Sequence, residues 1–142
     1  MANKDAAFGL RPAHMMGGAP YSGGQSRYRI ANNQSGAIFQ GDLVKQLTGG
    51  TVSRAAASST VPVVGVFNGV QYTDPTTSEQ VFSNHYPGSV AADDIIAFIV
   101  DDPNVVFEVQ ADDTFPVADL FGNFDIVDQS TTGDTRSGRS NM

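Results

Sequence analysis

Cysteine and tryptophan are both absent from this sequence of 142 residues. Without cysteine there is no disulfide, no thiolate nucleophile and no Cys-based zinc or iron–sulfur site, which fits synthesis in a reducing compartment. Without tryptophan, a carbohydrate-cleaving site would lack the aromatic platform that usually holds the sugar. Long apolar runs are missing too. No stretch approaches the roughly 18 apolar residues a membrane helix needs, and the opening MANKDAAFGLRP has no apolar centre of the signal-peptide kind. The expectation is a soluble chain without a cleaved signal. Positive charge is also scarce: between Ala55 and Thr135 there is no Lys or Arg at all.

The charge that is present is divided along the chain. Residues 1–54 carry six basic groups against two acidic ones, and thirteen carboxylates follow from Asp74 to Asp134, giving a net charge of −7. An acidic body of this kind repels phosphate backbones, so no nucleic acid is expected as a partner, and no membrane. The asymmetry reads either as a solvating acidic surface or as a basic front that lies against an acidic surface, its own or a neighbouring copy's.

Large apolar groups and turn residues set the organisation. Residues 1–26 are rich in Gly, Ala and Pro and cannot build a core, yet they hold Phe8, Leu10, Met15, Met16 and Tyr21, spaced like anchors on an extended N-terminal arm. Residues 27–128 read as a β-rich body of short strands separated by turns about every ten residues, and 129–142 as a flexible C-terminal tail without a large apolar side chain before Met142. The fold class is mainly β, a small barrel or sandwich. Arg27 to Ile30 alternates cationic and apolar residues, so it is a strand with one wet face. Val61 to Thr73 is the densest β-branched run, and Gly65 and Gly69 within it mark bends or a close approach of another backbone. Pro116 to Gly122 has the Pro-first, Gly-last form of one helical turn, and Phe124 to Val127 reads as a last strand.

Ile95 to Gln110 reads as the central hairpin, two strands joined by the turn Asp101-Asp102-Pro103-Asn104. In Asn104 to Gln110 the side chains alternate, as in a half-buried strand. In Ile95 to Val100 both faces are apolar, one carrying Ile95, Ala97 and Ile99 and the other Ile96, Phe98 and Val100. Cover on both faces comes from the middle of the monomer's own core or from a partner subunit.

Signals for chemistry are weak. Ser83, His85 and Asp93 or Asp94 can be drawn as a triad, but no G-x-S-x-G elbow is present, and a hydrogen-bonded loop histidine is the ordinary alternative for His85. Asp93-Asp94, Asp101-Asp102 and Asp112-Asp113 are paired carboxylates without the alternating ligand spacing of a calcium loop, and both phosphate-cradling glycine motifs are missing. The chain is therefore expected not to be an enzyme and to need no cofactor and no metal.

Several segments carry a resemblance: Ala7-Phe8-Gly9-Leu10-Arg11-Pro12, Gly18-Ala19-Pro20-Tyr21, Ile38-Phe39-Gln40-Gly41-Asp42, HYPGS at 85–89 and DDPNVVFEVQAD at 101–112. Together they resemble a group of small virion proteins of tailed bacteriophages, cyanophages among them, described as capsid decoration or cement proteins. The resemblance implies a structural protein of the virion surface, made in the host bacterial cytoplasm, that binds the outside of the major capsid protein shell and stabilises it. It further implies many weak contacts acting together, and a homo-oligomer, a trimer before a dimer. The partner-binding candidates are Phe8, Leu10, Arg11, Met15, Met16 and Tyr21 of the arm, Arg27 and Arg29 of the first strand, and Ile95, Ala97 and Ile99 of the apolar one. The alternative is a virion-surface module that recognises a host glycan or receptor, suggested by the aromatic loop Asn84-His85-Tyr86.

Overall fold

The structure is a computed structural model and describes residues 7–56, 62–111, 113–126 and 133–142. In chain order the strands are β1 (Arg11–Met15), β2 (Ser26–Arg29), β3 (Ile38–Phe39), β4 (Leu43–Gln46), β5 (Val52–Arg54), β6 (Val63–Thr73), β7 (Gln80–Ser83), β8 (His85–Tyr86), β9 (Ile96–Val100), β10 (Val105–Glu108), β11 (Gly133–Asp134) and β12 (Arg139–Ser140). One 3-10 turn, Val117–Asp119, lies within the expected Pro116 to Gly122 segment. The chain is mainly β, as its turn spacing predicts.

Six strands form the principal sheet in the order β2-β9-β6-β4-β5, with β7 also paired to β6. Its two edges curl toward each other and touch at one parallel bridge, Arg29 to Thr51. No ladder continues from that bridge, so the sheet is not a closed barrel. The concave side holds the core, including Ile38, Val44, Phe67, Val70, Tyr86, Ile95, Ala97 and Ile99. Three further antiparallel pairs, β1-β10, β3-β8 and β11-β12, surround this sheet.

Both glycines of the long strand act as their positions suggest. A Cβ at Gly65 would fall on the carbonyl oxygen of Val100, and one at Gly69 would lie 3.1 Å from that of Ser83. The β6–β9 register slips between Phe67 and Gly69, a bulge that lets β6 bend across the core.

Ile95 to Gln110 is not a hairpin. β9 bonds β2 on one edge and β6 on the other, so it has no free edge for β10. The Asp101–Asn104 turn instead carries the chain out of the principal sheet, and β10 pairs with β1 of the N-terminal segment. Asp101 fixes the exit by accepting from Ser26 Oγ at 3.0 Å and Tyr28 OH at 2.7 Å. Alternation in β10 is only partly expressed: Val105 is buried, Phe107 is half-buried and Val109 is exposed.

The C-terminal segment also departs from expectation. Residues 124–126 form no strand, and Val127 and 129–132 lie outside the described residues. Residues 133–142, expected to be flexible, form the β11-β12 pair against β3, with Ser140 and Met142 buried. Counting large apolar side chains misses the cause, which is polar. Asp42, fully buried at the β3–β4 turn, takes hydrogen bonds from the Phe39 N–H at 2.8 Å, Arg54 Nε at 3.1 Å and the Ser140 hydroxyl. A buried carboxylate needs donors, and Ser140 supplies one. Main-chain bonds from Gln40 N–H to Gly138 and from Ser140 N–H to Gln40, both 2.9 Å, complete the attachment. The Leu43 N–H also points at Met142 Sδ, at 3.4 Å.

Candidate functional site

Residues 7–16 lie along the body. Gly9 and Gly41, at φ +73 and +96, pack backbone to backbone, each leaving no room for a Cβ on the other. The Leu10 N–H donates to Gly41 at 3.0 Å and the Met16 N–H to Asn104 at 2.7 Å, so the first strand is held at both ends. Arg11 pairs with Glu108 and sits 5.3 Å from the Phe8 ring centre. The expected arm is thus extended, but its Arg11–Met15 part is a strand of the chain's own fold. From Met16 to Gly24 the chain loops outward in the exposed residues around Tyr21, whose hydroxyl bonds the Gly24 carbonyl at 2.9 Å.

Where this segment crosses the principal sheet it encloses a cleft of about 250 Å³, between Phe8 and Leu10 on one side and Val66 and Val100 beneath, with Asn68 and Arg139 at the rim. Val100 is buried although it shares a face with Ile96 and Phe98, because this segment covers that end of β9. The Arg139 guanidinium makes no ion pair with a described residue.

The convex side of the sheet is a second surface. Arg29, Ile96, Gln71 and Phe82 stand in register across β2, β9, β6 and β7, and Arg27 stands opposite Phe98 with its guanidinium 5.8 Å from the ring centre. Arg27 and Arg29 are exposed, Ile96 and Phe98 half-buried, and Phe82 is 68% exposed. Ile95, Ala97 and Ile99 point the other way, all at 1% exposure or less. These three candidates are corrected: they belong to the monomer's own core and cannot meet a partner without opening it. Register decides the matter, because Tyr28 packs inward beside Ala97, which turns Arg27 and Arg29 outward together with Phe98 and Ile96. Of the remaining candidates, Arg11 and Met16 are exposed, while Phe8, Leu10, Met15 and Tyr21 are half-buried.

Sequence reasoning missed the segment 113–125. Phe115, Val117, Leu120, Phe121 and Phe124 are all at least 51% exposed there, and Phe121 is wholly so. The Phe115 and Phe124 rings meet at 5.1 Å and clasp the base of the loop, while Gly122 N–H to Asp119 and Asp119 N–H to Pro116 bonds close its interior. The available signal was FPVADLFGNF itself, ten residues with five large apolar groups and no strand alternation.

The catalytic candidates do not assemble. Ser83 Oγ is 3.3 Å from His85 Nδ1, but Asp94 bonds the Thr73 hydroxyl and N–H, and Asp93 bonds Asn32. His85 stands on β8 opposite Phe39 and stacks on its ring at 5.6 Å, the packing of a structural histidine. Tyr86 is fully buried, donating to the Gln34 carbonyl at 3.1 Å, and burial raises its phenol pKa. The aromatic loop that suggested glycan recognition is therefore not an exposed platform. Asp102 caps its own turn by accepting from the Asn104 N–H at 2.8 Å. Among the described residues no three His, Asp or Glu side chains gather as metal ligands, and Asp112 lies outside them. Burial raises the Asp42 pKa against the lowering effect of its three donors.

No protein-family model, curated protein or solved structure matches this chain.

Proposed function

We propose that this chain is a structural protein of a bacteriophage virion, a decoration protein that binds the outside of the major capsid protein shell and stabilises it. The observation that carries the proposal is the uncovered convex face of the principal sheet, where Arg27 and Arg29 flank Ile96, Phe98 and Phe82. Apolar side chains fixed on a rigid sheet lose little entropy on docking, and arginine is suited to the centre of an interface. The exposed loop 17–24 extends the contact area beyond the sheet. What supports the capsid as partner is the sequence resemblance, together with a surface made for contact. Repetition on a shell multiplies weak contacts.

The test is binding of the purified chain to particles that lack it. Bound wild type should raise the temperature at which the shell breaks. Phe82→Ser combined with Arg27→Glu should abolish binding while leaving the unfolding midpoint nearly unchanged, because both side chains are exposed. Particles that break at the same temperature with and without the bound chain would refute the stabilising role. Undiminished binding of the double variant would refute the convex face as the contact.

A further inference from the structure

Phe121 is wholly exposed and sits at φ +75, in the left-handed region that bulky side chains rarely enter. Such a residue persists only where its surroundings hold it, and here the Phe115–Phe124 clasp and the 3-10 turn do so. The loop is a pre-shaped finger presenting one phenyl ring at its tip. Asp113, Asp119 and Asp125 accompany the ring, and no Lys or Arg lies within this segment. Its complement therefore has an apolar slot for one ring and a cationic rim.

The molecule contains such a slot. The cleft beneath the N-terminal strand, at about 250 Å³, is smaller than the roughly 300 Å³ at which small-molecule sites begin and is on the scale of one aromatic side chain. Its walls are Phe8, Leu10, Val66 and Val100, and Arg139 stands at the rim with no carboxylate partner among the described residues. A chain cannot fill its own cleft with a ring that is wholly solvent-exposed in the same fold.

We propose that the cleft of one copy receives Phe121 of a second copy, with Arg139 facing the carboxylates of Asp119 and Asp125. The contact is head-to-tail, so a pair of copies keeps one free finger and one free cleft, and successive copies close into a ring when the rotation permits. The pre-formed finger limits the ordering cost of the contact. Self-association of this kind does not depend on the capsid reading.

Sedimentation of the full chain over a wide concentration range tests the proposal. Wild type should self-associate. Phe121→Ala and Arg139→Glu, both at exposed positions, should each weaken association at least about tenfold with unchanged folding. A mixture of the two variants should form dimers and nothing larger, because the intact cleft of the first accepts the intact finger of the second. Asp119→Lys with Asp125→Lys should restore association to the Arg139→Glu chain. A wild type that stays monomeric throughout, an unchanged Phe121→Ala variant, or a mixture that remains monomeric would each overturn the proposal.

Discussion

Replacing Ser140 by alanine removes one hydroxyl from a site with no solvent. That hydroxyl donates to the Asp42 carboxylate and accepts from the Met142 N–H at 3.0 Å, and both Ser140 and Asp42 are at 0% exposure. A hydrogen bond to an ionised acceptor contributes about 1.5–3 kcal/mol, against roughly 0.5–1.5 for a neutral one. The two main-chain bonds between Gln40 and the 138–140 segment survive in the variant, so the side-chain bond is the larger single contribution to attachment. Asp42 keeps the Phe39 N–H and Arg54. The loss should therefore fall mainly on the C-terminal segment and only secondarily on the body.

Trypsin reads that segment selectively. Beyond Arg54 the chain has cleavable residues only at Arg136 and Arg139. When local opening is fast relative to cutting, the cleavage rate follows the population of the opened state. A loss of about 1.5–3 kcal/mol then raises it roughly ten- to a hundredfold, at 1.4 kcal/mol per factor of ten. Mass spectrometry of the trimmed chain gives the rate, and a urea titration gives the stability of the remainder. Cleavage of Ser140→Ala at the wild-type rate would refute the Asp42–Ser140 bond as the fastening of this segment.

Other consequences follow from the backbone and from titration. Gly9→Ala or Gly41→Ala places a Cβ where two backbones touch and forces a left-handed residue, a strain of roughly 1–2 kcal/mol. Amide exchange at Leu10 and Met16 should accelerate while β6 stays protected, and unaltered exchange would show that the glycine pair does not set the crossing. Burial raises the Asp42 pKa above its ordinary 3.8, so the stability this group contributes is fullest below that value and declines as pH rises through the folded-state pKa. Asp94 has the opposite sign: its bonds from Thr73 lower its pKa, and its contribution is present above 3.8 and lost as pH falls through the folded-state value. Urea midpoints of Asp42→Asn and Asp94→Asn against wild type across the acid range should diverge in opposite directions, and parallel curves would contradict both assignments.

Much of the β architecture was legible because alternation and turn chemistry are local. The Arg27 to Ile30 pattern and the close backbone approaches at Gly65 and Gly69 appear where the residues suggest. Pairing was less legible. Asp101–Asn104 looks like a hairpin turn, yet β9 lies between two other strands and β10 is left to the N-terminal segment. The buried face of β9 could have been chosen from the sequence by asking which face lies beside two arginines. The attachment of 133–142 was invisible to a count of large apolar groups, since it runs through Asp42, Ser140 and main-chain bonds. The cleft has no local signature at all, because its walls come from residues near positions 8, 41, 67, 100 and 139.

That last feature ties the C-terminal fastening to self-association in one direction only. Arg139 neighbours Ser140 on β12, so detaching the segment removes Arg139 from the rim while leaving Arg11, the apolar walls and the finger in place. Phe121 is wholly exposed and makes no main-chain hydrogen bond to that segment. Ser140→Ala should therefore weaken association only as far as it lowers the closed fraction, a slight effect while the closed form predominates. Phe121→Ala should leave the tryptic rate of dilute, monomeric protein unchanged. A partner in excess should slow cleavage of wild type, because a neighbour's finger seated beneath Arg139 binds only the closed segment. Equal tryptic rates for wild type at low and high concentration, once it associates, would mean that the neighbour does not touch this rim, and the finger would then need another receptor.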